Sequence, residues 1–189
     1  ACPAVNSSVA TISMPTTVTW NGTAWSPSSP IGTSAIVING NFDTLTDGNL
    51  EGCSINVVSG TTVIRENKTL VVQNSVIVDP NASLIFENNA NLVQVNDAAI
   101  NSGNIIYNRD TTPVKRFDYT YWSSPVSPQR MVDLSPMTLF DKFYKWNTAV
   151  TPFNWIQVAS NSLMEAGYGC IIRAPQPFSS VSSTVYHGQ

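Results

Sequence analysis

The sequence predicts an all-β protein built around a right-handed parallel β-helix, and three observations support this prediction. Short apolar runs recur at intervals of 6 to 8 residues between Ile55 and Leu92. Asn, Asp, Gly and Pro, which favour turns, separate these runs. Only 11% of the residues are charged, against roughly 25% in an average soluble protein, whereas 42% are hydrophobic. Helical proteins normally expose many Glu and Lys side chains, so the low charge favours strands.

The N-terminal segment, residues 1–35, is predicted to be a cap. Trp20 and Trp25 flank an Asn21-Gly22 pair, which favours the turn of a β-hairpin. An open end of a solenoid exposes its core and its unpaired strand edges. We therefore expect this capping hairpin to cover the first coil.

Residues 36–112 are predicted to form the β-helical repeats. Their apolar runs are only two to four residues long, which is short for the strands of a sandwich. Three such strands and three turns make one coil of about 20–24 residues. Inward Val, Ile and Leu side chains then stack into a column, and Asn side chains at the turns can form ladders. A β-sandwich with strands every 8–12 residues is the alternative.

Three apolar residues in the middle of these runs, Val71, Ile77 and Ile85, do not fit a simple alternation. If their neighbours point inward, these side chains point outward. We expect them to be covered by other parts of the chain, with a partner protein as the alternative.

Residues 113–189 are predicted to form a second, small antiparallel β module. The apolar runs stop after Asn108, and prolines and aromatic residues become frequent. A tight turn at 166–169 precedes the apolar strand Cys170-Ile171-Ile172. Because no terminating pattern follows, the module is expected to be truncated.

The aromatic residues of the module are the best candidate for ligand binding. They are Tyr119, Tyr121, Trp122, Tyr144, Trp146 and Trp155. One interpretation is a platform on which sugar rings stack. The other, which we favour at this point, is an aromatic core that holds the small module together.

Catalytic and metal-binding patterns are weak. Polysaccharide-active β-helix enzymes need two or three neighbouring carboxylates. Glu66 and Glu87 are one coil apart, but such a pair is more typical of solvated turns. The sequence contains a single histidine, His187, and no Gly-x-Ser-x-Gly motif, so it lacks the pattern of a serine hydrolase site. The sequence therefore predicts no enzyme, no cofactor and no metal site.

The remaining polar and sulfur-containing residues are expected to be structural. Arg173 is predicted to pair with Asp118 or Asp133. The three cysteines, at positions 2, 53 and 170, are interpreted as small buried side chains, with one disulfide as the alternative. A net charge of −3 without a basic stripe argues against nucleic acid as a partner. No apolar run approaches the ~20 residues of a membrane-spanning helix.

Four segments resemble large secreted surface proteins of Flavobacterium-type Bacteroidetes. They are the Trp-Asn-Gly-Thr-Ala-Trp segment 20–25, the entry to the repeats at 53–57, the Trp-Ser-Ser-Pro segment 119–125 and the Gly-Tyr to Arg-Ala-Pro segment 167–175. Proteins of this kind are similar to cargo of the type IX secretion system and typically end in a sorting domain, which this sequence lacks. The resemblance implies an extracellular location at the cell surface, in adhesion or gliding motility. It implies no reaction.

The resemblance also implies partners and a modification. The partners are the secretion machinery, the outer surface of the cell, and a polysaccharide, host or substratum surface. Thr44 in Asp43-Thr44-Leu45 and Thr111 in Asp110-Thr111-Thr112 are similar to O-glycosylation sites of Bacteroidetes. The predicted function is a non-enzymatic structural and adhesive segment of a larger surface protein. The alternatives are a carbohydrate-binding module and, third, a polysaccharide-active enzyme.

Overall fold

The structure is a computed structural model that describes residues 14–149, 151–152 and 154–188. Its first part is a β-solenoid of about four turns, in which short strands stack in parallel, coil on coil. The strands of this part are β1 (Thr17–Trp20), β2 (Trp25–Ser26), β3 (Ala35–Asn39), β4 (Phe42–Asp43), β5 (Glu51–Gly52), β6 (Ser54–Ile64), β7 (Thr69–Val72), β8 (Val76–Val78), β9 (Ala82–Phe86), β10 (Asn91–Gln94) and β11 (Ile106–Tyr107). The predicted parallel β-helix is confirmed.

The solenoid has three faces, each made of strands that pair in parallel with the next coil. The first face contains β1, β3, the first half of β6, and β8. The second contains β4, the second half of β6, β9 and β11. The third contains β5, β7 and β10. Register partners on neighbouring coils are 18 to 25 positions apart, a range that includes the predicted coil length of about 20–24 residues.

The core of the solenoid consists of stacked aliphatic side chains. Every second residue of a strand points inward. On the first face Val18, Ile36, Ile55 and Val76 are register partners, and none is more than 4% exposed. Burial of one such side chain contributes about 1.5–3 kcal/mol. The column therefore stabilises each coil through its neighbours.

Aromatic rings close both ends of this core. At the N-terminal end Trp20, Trp25 and Phe42 pack together, with ring centroids 5.2 to 5.6 Å apart. At the other end Tyr107 stacks on Phe86 at 4.9 Å. Among the described residues no further coil stacks on these rings, which cover the apolar surface at each end.

The predicted hairpin forms in the N-terminal segment, but its first strand also belongs to the solenoid. β1 pairs in parallel with β3, so it is the first strand of the solenoid itself. β2 alone runs antiparallel, and it covers the free edge of β1. Trp20 pairs with Trp25, so the turn between the two strands has four residues. The side-chain oxygen of Asn21 stabilises this turn by accepting hydrogen bonds from the backbone N–H groups of Thr23 and Ala24. Residues 1–13 of the predicted cap lie outside the described residues.

Three stacked glycines form one corner of the solenoid. Gly22, Gly40 and Gly60 have φ angles of +95°, +132° and +75°. A Cβ atom on Gly40 would lie 2.8 Å from the Cα atom of Gly22. A Cβ atom on Gly60 would lie 2.6 Å from the carbonyl carbon of Gly40. The backbones therefore pack too closely for a side chain at Gly40 and Gly60, and the positive φ angle favours glycine at all three positions.

The outward apolar residues Val71, Ile77 and Ile85 are all half-buried. Ile85 lies in register between Val63 and Ile106 on the second face, so apolar side chains form a ladder on the outside of the coils. Val71 lies beside Val93, which is 45% exposed. Apolar side chains of neighbouring coils thus partly cover these residues, as the sequence predicted for other parts of the chain.

The second part is the predicted antiparallel module. Its elements are β12 (Arg109–Asp110), β13 (Tyr119–Trp122), α1 (Met131–Leu134), β14 (Phe143–Asn147), β15 (Asn154–Gln157), β16 (Cys170–Arg173) and β17 (His187–Gly188). Four of them form a sheet in the order β13-β16-β14-β15. A second core packs on one side of this sheet and contains Met131, Leu134, Phe143, Met164, Cys170 and Ile172. No helix among the described residues is long and apolar enough to cross a membrane.

The end of the described chain returns to the junction of the two parts. β17 pairs with β12, directly after the last coil. The Tyr186 hydroxyl donates a hydrogen bond to the Leu134 carbonyl at 2.5 Å, and the Tyr186 N–H donates to the Thr111 hydroxyl at 2.9 Å. These long-range bonds tie the end of the described chain to α1 and to the first residues of the module.

The two described cysteines lie in different parts of the molecule and are not bonded to each other. Cys170 is buried in the module, and this burial raises the pKa of its thiol to about 11. The Cys53 sulfur accepts a bond from the Asn74 amide at 3.3 Å. Both behave as small structural side chains, whereas Cys2 lies outside the described residues.

Candidate functional site

Five of the six predicted aromatic residues lie on one side of the four-stranded sheet. Tyr119 and Tyr121 are register partners of Arg173 and Ile171, and Tyr144 also pairs with Ile171. Trp146 pairs with Trp155 on the next strand. Directly paired residues share a face of a sheet. We call this surface the aromatic face, and it consists of Tyr119, Tyr121, Tyr144, Trp146 and Trp155.

The rings of the aromatic face contact one another across the strands. Trp146 and Trp155 lie 5.2 Å apart between ring centroids, and Tyr119 and Tyr144 lie 5.8 Å apart. Tyr121 approaches Trp155 to 5.9 Å. Edge-to-face pairs at these distances stabilise one another. The rings therefore form a continuous surface in a fixed arrangement.

This surface is open to solvent. Tyr121 is 76% exposed, Trp146 is 45% exposed and Tyr119 is 39% exposed, while Tyr144 and Trp155 are half-buried. Partial burial raises the pKa of Tyr119, and the neighbouring Tyr144 adds to the shift. The Tyr119 hydroxyl therefore stays protonated at neutral pH and can donate a hydrogen bond.

The predicted aromatic core is wrong for these five residues. The core of the module lies on the opposite side of the sheet, where Phe143, Cys170 and Ile172 pack against α1. Of the six candidates only Trp122 packs against that side. Successive side chains of a strand point to opposite sides of the sheet, so Trp122 and the preceding Tyr121 lie on different sides.

Trp122 instead lines a cleft between the last coil and the module. The cleft consists of two adjoining cavities of about 330 and 420 Å³. Both are lined by Ile105, Pro125, Val126 and Gln129. Arg109 donates to the carbonyl groups of Glu87 and Ala90, and Asp133 pairs with Arg130. The charged groups at the cleft are thus already bonded within the chain.

Comparison with known families assigns the chain to a family. A family model described as a domain of unknown function, DUF8693, matches residues 15–189. The chain belongs to this family. The match runs through the solenoid and the module, so the DUF8693 unit includes both parts. Comparison with curated proteins and with solved structures found no match.

Of the two candidate carboxylates of the DUF8693 chain, Glu87 belongs to an ion-pair ladder and Glu66 accepts a hydrogen bond from the Asn89 amide. Glu66 and Glu87 do lie on neighbouring coils, where the Glu87 carboxylate accepts the Glu66 N–H at 3.2 Å. Arg65 lies between Asp43 and Glu87, one coil from each, and bonds both carboxylates. Hydrogen bonds from Arg65 are the main reason that the pKa of Asp43 lies below its usual range. Glu87 is therefore a structural acceptor.

Removing the central cation of this ladder should destabilise the solenoid. We expect Arg65→Met to lower the free energy of unfolding at pH 7 by about 1–2 kcal/mol, since two carboxylates lose their partner. The pKa of Asp43 is lowered in the folded state, so its contribution is complete above pH ~4 and is lost as the pH falls through the folded value. Urea unfolding at several pH values measures both effects.

Arg130→Met is the matched control, because Arg130 pairs with Asp133 at an exposed site. Because this pair is exposed to solvent, its loss should cost much less than the loss of Arg65. Equal losses in the two variants, or a loss in Arg65→Met that persists unchanged at low pH, would contradict the role of the ladder.

Other predicted polar sites have local partners. His187 lies 2.7 Å from the Asp110 carboxylate on the paired strand. The predicted ion pair of Arg173 with Asp118 or Asp133 is wrong. Arg173 donates to the Gln176 side chain at 2.7 Å instead. Among the described residues no group of three or more His, Cys, Asp or Glu side chains is placed to hold a metal ion.

The two threonines predicted as O-glycosylation sites are buried. Thr44 is 3% exposed, and its hydroxyl accepts the Arg65 N–H at 2.9 Å. Thr111 is 9% exposed, and its hydroxyl accepts the Tyr186 N–H. In the folded chain both hydroxyl groups are inaccessible, so a sugar at either position requires attachment before folding.

Proposed function

We propose that this chain is a non-enzymatic, adhesive segment of a larger secreted surface protein and that its aromatic face binds polysaccharide. The observation that carries the proposal is the aromatic face itself. Five aromatic side chains from three strands lie together on the exposed side of a sheet whose other side already holds the core. Large exposed apolar surfaces mark binding sites more often than structural ones.

The chemistry of the rings suits a sugar ligand. The C–H groups on one side of a sugar ring form an apolar surface that packs on an aromatic ring, while its hydroxyl groups need polar partners nearby. Tyrosine and tryptophan supply both, because each combines a rigid ring with a hydrogen-bond donor. Ring pairs held at 5.2 to 5.9 Å lose little conformational freedom on binding.

The solenoid would serve as a rigid spacer. About four coils stacked roughly 4.8 Å apart hold the module away from whatever precedes the chain. The resemblance to type IX secretion cargo and the low content of charged residues support export and display at the cell surface, in adhesion or gliding motility.

The test is binding to a panel of neutral and acidic polysaccharides by affinity electrophoresis and calorimetry. We expect the protein to bind at least one of them, and Trp146→Ala and Tyr121→Ala each to weaken that binding about tenfold or more. Both side chains are exposed, so thermal unfolding should stay close to that of the unmodified protein.

Ile100→Ala provides the control, since Ile100 is an apolar residue on the solenoid that is 85% exposed. It should bind as the unmodified protein does. Absence of binding to every polysaccharide, or unchanged binding by both aromatic variants, would refute the proposal.

A further inference from the structure

One end of the aromatic face carries two arginine side chains beside an exposed phenylalanine. Arg173 is the register partner of Tyr119, which places it at the Tyr119 end of the face. The guanidinium carbon of Arg173 lies 5.7 Å from the centroid of the Phe117 ring, and that of Arg116 lies 6.0 Å from the same centroid. Phe117 is 60% exposed. Two cations therefore adjoin one accessible aromatic ring.

Among the described residues neither arginine forms an ion pair, although the pKa of Asp141 is lowered mainly by its hydrogen bond from Lys142 and also by the nearby charge of Arg173. Arg173 is only 7% exposed, and its Nε atom is buried without a hydrogen bond. Arg116 donates to the Phe178 carbonyl at 2.8 Å. In the part of the chain that the structure describes, no carboxylate lies within 4 Å of either side chain. A buried charge without a counter-ion is costly, so such a site favours an anion.

Nearby carboxylates are engaged elsewhere. Asp141 pairs with Lys142 at 2.5 Å. The Asp118 side chain accepts the backbone N–H of Lys115 at 2.8 Å. Because Lys142 and Asp141 pair with each other, Arg116 and Arg173 are left at this end of the face without an ion-pair partner among the described residues, although the whole chain has a net charge of −3. The local excess of positive charge is complementary to an anionic ligand.

We propose that the polysaccharide bound by the aromatic face is acidic. The sugar rings stack on the aromatic side chains, and a carboxylate or sulfate group binds between Arg116 and Arg173 beside Phe117. Guanidinium groups bind both kinds of anion through paired N–H donors. This inference rests on the proposed function and specifies the class of its ligand.

The test uses polysaccharide pairs that differ only in charge: polygalacturonate with its methyl ester, and dextran sulfate with dextran. For at least one pair we expect the acidic member to bind about tenfold more tightly or better, with an advantage that shrinks as salt is added. The pair that responds identifies carboxylate or sulfate as the recognised group.

Three variants separate a specific contact between the arginines and the anionic group from a general electrostatic attraction of the polysaccharide. Arg116→Gln should remove most of the preference for the acidic member and leave binding of the neutral one unchanged. Arg130→Gln, which removes an exposed arginine elsewhere in the module, should change neither. Arg173→Lys, checked for folding by circular dichroism, should weaken acidic binding while keeping the charge, because the bidentate geometry is lost.

The outcomes distinguish the two proposals. Equal binding of charged and neutral members, with no effect of Arg116→Gln, overturns the inference and leaves the aromatic face as a neutral sugar site. Equal effects of Arg116→Gln and Arg130→Gln also overturn it, since the attraction is then nonspecific. Failure to bind any polysaccharide overturns the proposed function as well.

Discussion

Replacing Gly60 with alanine should lower the free energy of unfolding by about 2–5 kcal/mol. The φ angle of Gly60 is +75°, a conformation that costs an L-residue about 1–2 kcal/mol. The new Cβ atom would also lie 2.6 Å from the carbonyl carbon of Gly40 and 2.8 Å from the backbone nitrogen of Asn41. Backbone atoms of a stacked coil cannot rotate away, so the coils must separate, which adds about 1–3 kcal/mol.

Chemical denaturation of the variant and the parent protein measures this loss. Gly48→Ala is the control that separates the cost of the positive φ angle from the cost of the steric clash. Gly48 has a φ angle of +103°, but no atom lies within 4 Å of the added Cβ. The control should lose only about 1–2 kcal/mol. Identical losses in both variants would mean that the stacked glycine corner is not a close backbone contact.

Replacing Phe86 with alanine should cost about 3–5 kcal/mol. Phe86 is completely buried and lies in register between Ile64 and Tyr107, on whose ring it stacks at 4.9 Å. Truncation leaves a cavity in the last coil and removes the support of Tyr107. Because that ring closes the end of the core, we expect hydrogen exchange to accelerate in β11 more than in β3.

The control for Phe86 is Ile77→Ala, which truncates a half-buried side chain on the outside of the coils. Its expected cost is about 1 kcal/mol. A loss below that value for Phe86→Ala, or uniform exchange throughout the solenoid, would argue that Tyr107 does not close the core.

We expect substitutions on the two sides of the four-stranded sheet to have different effects, one on stability and the other on binding. The side with Phe143 and Ile172 is covered by α1, whereas the side with Tyr121 and Trp146 has no such cover among the described residues. Substitutions on the aromatic face should therefore change affinity with little change in stability. Phe143→Ala should do the reverse, because it creates a core cavity.

Several features of the solenoid follow from spacing alone. Register partners lie about one coil apart, so the approach of Glu66 and Glu87 was predictable from their separation of 21 residues. The same spacing places Arg65 beside Asp43 and Glu87, each 22 residues away. The stacked glycines were likewise detectable as one glycine per coil.

The module was less predictable. Alternation along β13 places Tyr119 and Tyr121 on one side and Trp122 on the other, which is local information. Which side faces solvent depends on α1 and on the pairing of strands that are far apart in sequence. The pairing of Tyr119 with Arg173, for example, joins β13 to a strand that follows two others.

The sequence by itself determined the β-solenoid and its approximate coil length, and it indicated that an antiparallel part follows the repeats. These features depend on alternation and on repeats that recur within about 25 residues. Only the tertiary structure decided that five aromatic side chains share an exposed face and that Arg116 and Arg173 meet at Phe117. Both depend on the order and register of antiparallel strands, which long-range packing selects and no local pattern specifies.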